Sequence, residues 1–255
     1  MNGTIHLSPQ QDELARKREE LTLLETVLAD RELFLANLRA ELVAFEGRYL
    51  RQIGVLYAEL DDWTAKLAEM DAAMDGTAQA QSAASVARAQ ADDSYAASHG
   101  EAAAAQDFSP QPELKKLFRE VCNQVHPDRA ATEEDRALRE KLMAEANAAY
   151  KRQDPNALRK VLEEYKFRPD AARDGGAAEL QHVRRQIERI TRRLGAIEAE
   201  IAEISSSEIA KLMAKIQSET AKGCAPMDEM ARGIRLRIEQ AREEFEEHAA
   251  ATRMR

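Results

Sequence analysis

The sequence predicts an all-α protein: a long antiparallel coiled-coil hairpin with a small helical hairpin inserted between its two arms. Three observations carry that expectation. Charged residues make up 33% of the 255 positions and aromatics 5%, with Ala, Glu, Leu and Arg dominant, which suits long helices rather than sheet cores. Apolar residues recur at steps of three and four over residues 10–75 and again over 178–251. Between them, residues 108–167 lose the long repeat and show short amphipathic segments punctuated by proline.

The first arm, 10–75, carries Leu14, Leu21, Leu24, Leu28, Leu35, Leu38, Leu42, Phe45 and Tyr49 on one stripe, then Ile53, Leu56, Leu60, Trp63 and Leu67. That is a coiled-coil seam. At ~1.5 Å per residue such a helix would reach roughly 100 Å, and its seam needs a covering partner to be stable. The second arm, 178–251, offers Leu180, Val183, Ile187, Ile190, Leu194, Ile197, Ile201 and Ile204. Gly223 and Pro226 should interrupt it near 223–226; the pattern then resumes through Met227, Met230, Ile234, Ile238 and Phe245. Each arm contains one irregular stretch that spans a step of eleven, Leu42 to Ile53 and Ile201 to Leu212. Such a break unwinds a supercoil locally, so partners should share it at one level. An antiparallel register that sets Leu60 against Leu194, Ile53 against Ile201 and Leu42 against Leu212 meets that condition. A homodimer of parallel chains, with each break facing itself, is the other pairing the pattern allows.

Residues 76–107 are rich in Ala, Gln and Ser, with Gly76 and Gly100 and no regular apolar stripe. With little to bury, the segment reads as a flexible linker. The module at 108–167 is different. Leu114, Leu117, Phe118, Val121 and Val125 mark one face of a helix over 113–125, with Lys115, Lys116 and Arg119 off that face. Pro110 and Pro112 suit a helix start, and Pro127 restricts His126 and stops the helix. Thr132 is a good N-cap, followed by Glu133, Glu134 and Asp135 where the helix dipole favours acids. The second helix carries Leu138, Leu142, Met143, Ala146, Ala149 and Tyr150, and Asp154-Pro155 opens a short closing helix with Leu158, Val161, Leu162 and Tyr165.

The stretch LKKLFREVCNQVHPDR followed by EKLMAEANAAY resembles the J domain of DnaJ-type co-chaperones, over about residues 113–165. The resemblance implies a DnaK-type chaperone as partner, with its ATPase stimulated by the loop and the basic helix before it. Carried over by position, the partner-binding residues are His126, Pro127 and Asp128 in the loop and Lys115, Phe118 and Arg119 on the helix, with Lys116 and Arg129 nearby. Asn147, Ala149 and Tyr150 match the family's helix end. The short apolar first helix of that family has no counterpart in Ser98 to Ala105, whose sequence is SHGEAAAA; Phe108 or the closing helix is left to fill its place. The coiled coil would then direct the module to a client or assembly.

Other classes are disfavoured. A net charge of −9 works against nucleic-acid binding, which needs basic surface. No apolar run approaches the ~20 residues of a membrane span, and Met1 to Pro9 lacks the order of a signal peptide. Cys122 and Cys224 lie in unrelated contexts, so neither a disulfide nor a metal site is expected, and the location expected is cytoplasmic. No cofactor motif and no convergent set of nucleophile, base and oxyanion donors is present, so no enzyme activity is expected.

Overall fold

The computed structural model describes residues 9–166 and 177–253, and every regular element among them is helical. In order these are α1 (Pro9–Tyr49), a π-turn (Leu50–Gly54), α2 (Val55–Asp75), α3 (Ala78–His99), α4 (Pro112–Val125), a 3-10 turn (Pro127–Arg129), α5 (Glu133–Lys151), α6 (Pro155–Lys166), α7 (Ala177–Ser206), α8 (Glu208–Ala221) and α9 (Pro226–Arg253). No helix among the described residues is long and apolar enough to cross a membrane. The described residues divide into two compact units, one of 9–40, 108–166 and 177–206 and the other of 41–107 and 207–253.

In the first unit α1 runs beside α7, and the two helices are parallel rather than antiparallel. Arg18 pairs with Glu179, Glu32 with Arg193 and Arg39 with Glu200, each separated by the same 161 residues. A constant offset is the mark of a parallel pair. Leu28 and Leu35 bury against Ile190 and Ile197, flanked by Leu21, Leu24, Leu194, Ile201 and Ile204. The antiparallel register is therefore overturned. An apolar repeat reads the same in both directions and cannot choose one. The flanking charges choose, because these acids and bases meet only in the parallel register.

In the second unit α2 and α3 form a tight antiparallel hairpin, so residues 78–99 are helix and not the linker that composition suggested. Gly76 closes α2 in the left-handed conformation (φ 68°), its N–H bonding Ala72 at 3.0 Å. Thr77 caps α3 by accepting from the Ala80 N–H. Arg88 reaches Asp62 and Glu69, and further along α3 Ser94 reaches back to Asp61. The apolar stripe exists, but in small residues. Ala84, Ala91 and Ser98 are buried on α3 at every seventh position, as are Ala58, Ala65 and Ala72 on α2. Short side chains bring two backbones close, so contact replaces bulk. Ile53 of the π-turn and, on another face of α2, Leu56, Leu60, Trp63 and Leu67 pack with Met227, Met230, Ala231, Ile234, Ile238 and Ala241 of α9. Trp63 meets the Phe245 ring edge-on at 5.6 Å.

The two irregular stretches also differ in kind. The surplus residue before Ile53 is absorbed by the π-turn at Leu50–Gly54. The one after Ile201 is a break, where α7 ends at Ser206 and the Ser207 side chain caps α8 by accepting from the Ala210 N–H. A second break separates α8 from α9, with Gly223 at φ 87° and Pro226 at the start of α9.

The return from α3 passes close beneath α1. Arg51 donates to the carbonyls of Ala103 and Ala105 at 2.7 and 2.6 Å. A Cβ on Gly47 would lie 2.8 Å from the Ala102 carbonyl and 2.9 Å from the Ala105 Cβ. Alanine is the better helix former by ~1 kcal/mol, but overpacking against backbone costs about 1–3 kcal/mol. Gly47→Ala should therefore lower the stability of the 41–107 unit in urea unfolding, whereas a stabilised variant would show that this approach is loose.

Candidate functional site

The module after Phe108 is built on a short amphipathic hairpin. Pro112 starts α4, where a missing N–H costs nothing. Leu114, Phe118, Val121, Cys122 and Val125 then face inward. Thr132 caps α5 by accepting from the Asp135 N–H at 3.2 Å. Leu142, Met143, Ala146, Ala149 and Tyr150 of α5 meet the α4 face, and Leu158, Val161 and Leu162 of α6 close the cluster. The Phe118 and Tyr150 rings sit 4.4 Å apart, and Phe108 approaches Tyr150 edge-on at 5.7 Å. Each large side chain buried this way stabilises the fold by about 1.5–3 kcal/mol. The remaining face is covered by α1, which contributes Ala29 and Leu33 to the same core. Its Asn37 accepts a hydrogen bond from the Tyr150 hydroxyl at 2.7 Å.

The His-Pro-Asp loop sits where α4 ends. His126 is 3% exposed. Its Nδ1 accepts from the Asp128 N–H at 3.1 Å, and its Nε2 lies 3.2 Å from Glu32 Oε1. An accepting Nδ1 fixes the neutral ring as the Nε2–H tautomer, so Nε2 donates to Glu32. Arg193 of α7 donates to the same Glu32 oxygen at 2.7 Å. Burial alone would raise the Glu32 carboxyl, yet the bonds from His126 and Arg193 outweigh it and hold the group below its usual value. Burial likewise would lower Arg193, and Glu32 and Glu200 raise it above the ordinary range.

Further contacts fasten the loop backbone. Arg189 donates to the carbonyls of Asp128 and Ala130 at 3.2 and 2.9 Å, and Gln186 to that of Arg129 at 3.1 Å. Desolvation pushes Arg189 down, and the nearby Asp128 charge opposes that shift. Arg139, 8% exposed, donates to the carbonyls of Gln124 and His126 and so satisfies the open end of α4. It is itself held by Asp135 at 2.8 Å and by the Tyr165 hydroxyl.

The residues singled out from sequence thus fall into different settings. His126, Pro127 and Asp128 come together in one turn, with His126 buried and the other two partly covered. Phe118 is wholly buried, so its side chain packs the hairpin and reaches no partner in this state. Lys116 and Arg119 are exposed and Lys115 is half-buried. Arg119 is engaged by Asp30, and Arg129 by Glu25 at 2.8 Å. The Cys122 thiol is pushed up by burial and by Glu32, which keeps it protonated and poorly nucleophilic. Among the described residues no group of His, Cys, Asp or Glu is arranged to hold a metal ion.

Glu25, Asp30 and Glu32 of α1 and Gln186, Arg189 and Arg193 of α7 were not selected by sequence reasoning. One signal was available: Glu32 and Leu33 sit between Leu28 and Leu35 on the seam side of α1, and α7 holds five arginines between 184 and 193. Comparison with protein-family models, curated proteins and solved structures finds no match for this chain.

Removing one partner of a buried ion pair costs about 3–5 kcal/mol, so Glu32→Ala should destabilise the first unit by at least ~3 kcal/mol and Glu32→Gln by less. Because the folded carboxyl lies below its usual 4.5, its contribution is complete above that value and is lost as pH falls through the lower folded value. Urea midpoints of the wild type should therefore drop on acidification more steeply than those of Glu32→Gln. Equal acid slopes would mean that Glu32 is not held in this way.

Proposed function

We propose that this chain is a J-domain-type co-chaperone that binds a DnaK-type chaperone through His126, Pro127 and Asp128 and stimulates its ATPase. The observation that carries the reading is the antiparallel α4–α5 hairpin with His-Pro-Asp in its connection, closed by α6. Lys115, Lys116 and Arg119 along α4 and Arg129 at the turn are the basic side chains that would steer the module to an acidic surface and act mainly on association rate. Pro127 limits the conformations of the loop before binding and so lowers its entropy cost. The family's short apolar first helix is replaced in this reading by α1, whose Ala29 and Leu33 lie on the hairpin core. The chain activates a partner's nucleotide site and has no catalytic residue, cofactor or metal of its own.

The α1–α7 pair then serves as a coiled-coil arm that directs the module to a client, an assembly or a second copy, in the cytoplasm. Leu23, Val27 and Phe34 remain exposed on α1, and the reading assigns them to that contact. Neither nucleic acid nor membrane has a place in it.

A second reading draws on the burial of His126 and the engagement of Arg119, Arg129 and three loop carbonyls by α1 and α7. In it the chain is a coiled-coil adaptor, and His-Pro-Asp is a structural turn with no chaperone partner. Steady-state ATPase of a DnaK-type chaperone separates the two. Under the first reading the chain raises turnover at saturating concentration, and His126→Gln or Asp128→Asn abolishes the rise. Absence of any rise, with the loop both closed and opened, leaves the adaptor.

A further inference from the structure

The loop assigned to the chaperone is held from two sides by helices of the same unit. From α1 come Glu32 on the His126 ring, Glu25 on Arg129 and Asp30 on Arg119. From α7 come Arg189 on the carbonyls of Asp128 and Ala130, Gln186 on that of Arg129, and Arg193 on the Glu32 carboxylate. We propose that the α1–α7 pair is an autoinhibitory clamp, which withholds the His126-Pro127-Asp128 loop until α7 is drawn away from it. The inference rests on the co-chaperone reading and adds its regulation.

Three features support a clamp rather than ordinary packing. First, the contacts are polar, and three of them are made by α7 side chains to backbone carbonyls of the loop itself. Second, the charges that would meet an acidic partner surface are the ones already neutralised: Arg119 by Asp30 and Arg129 by Glu25. Both pairs are partly exposed, so each is individually weak and exchangeable for a partner's carboxylates. Third, the hairpin core of α4, α5 and α6 is completed by α1 but includes no residue of α7. Movement of α7 would therefore free the three loop carbonyls, and Glu32 from Arg193, without dismantling the hairpin, leaving the partly exposed α1 pairs to exchange for a partner's carboxylates.

One helix face links the clamp to the arm. Ile190 and Ile197 of α7 bury against Leu28 and Leu35, while beside them Arg189 holds the loop and Arg193 holds Glu32. A helical client that competes for the Leu28 and Leu35 seam would displace Ile190, and Arg189 would leave with it. Client occupancy and loop exposure are then coupled, because the same displaced helix controls both.

The test uses the double variant Gln186→Ala/Arg189→Ala, which removes loop contacts and leaves Glu32, Arg193 and the apolar seam in place. Arg39→Ala serves as control, since it loses an α1–α7 ion pair that touches no loop atom. Amide hydrogen exchange over 126–130 reads opening independently of any chaperone, and stimulation of a DnaK-type ATPase reads activity. The clamp predicts exchange faster by at least roughly tenfold, the effect of losing a single charge-assisted hydrogen bond, since the variant loses two of these and the Gln186 bond, with stimulation rising in step. The control should change neither. If exchange rises but wild type and double variant stimulate equally, the clamp is overturned while the co-chaperone reading stands. If exchange rises and no form stimulates, the co-chaperone reading itself falls, and the regulatory role with it. Unchanged exchange in the double variant would also overturn the clamp, because the loop would then be held by something else.

Discussion

The first unit is organised around one buried carboxylate. Glu32, 6% exposed, receives the His126 ring from the module and the Arg193 guanidinium from α7. It lies on α1, so three elements distant in sequence converge on one oxygen atom. Carrying a charge into that position costs several kcal/mol in desolvation, and the two donors offset the cost only when all three elements are in register. A hydrophobic residue would tolerate a helix shifted by a turn. A carboxylate with two specific donors does not, which makes the site a register pin as well as a contact.

That constraint explains features that would otherwise be separate. The parallel course of α1 and α7 follows because Arg193 reaches Glu32 at the same offset that joins Arg18 to Glu179 and Arg39 to Glu200. The buried position of His126 follows because its ring is the second donor. No buried side-chain nitrogen or oxygen among the described residues lacks a hydrogen-bond partner, as a network of this kind requires. Arg139 extends the same logic by closing the carbonyl end of α4 next to His126. The loop is thus over-determined, whatever partner it serves.

How much of this was readable from sequence depended on whether the signal was local. The module was legible: Thr132 caps as its side chain demands, and Leu114, Phe118, Val121, Leu142 and Tyr150 bury on the faces their spacing marks. The long apolar repeats gave the seams but not their direction, since spacing is blind to polarity of the chain. Helix α3 was missed because its repeat is written in Ala84, Ala91 and Ser98, too small to register as an apolar stripe. Its partner stripe of Ala58, Ala65 and Ala72 carried the missing information. Within the site, His126 and Asp128 were legible as a motif. Glu32, Arg189 and Arg193 were not, because a charged residue on a long helix looks like solvated surface until its partner is placed.

The ring of His126 reports on the account most directly. Nitrogen-15 NMR of the full chain, labelled at histidine, distinguishes the two neutral tautomers and shows whether the ring proton exchanges with water. A single Nε2–H tautomer whose proton exchanges slowly is expected in the wild type, with loss of both properties in Glu32→Ala. A rapidly exchanging mixture of tautomers in the wild type, as for a surface histidine, would contradict it.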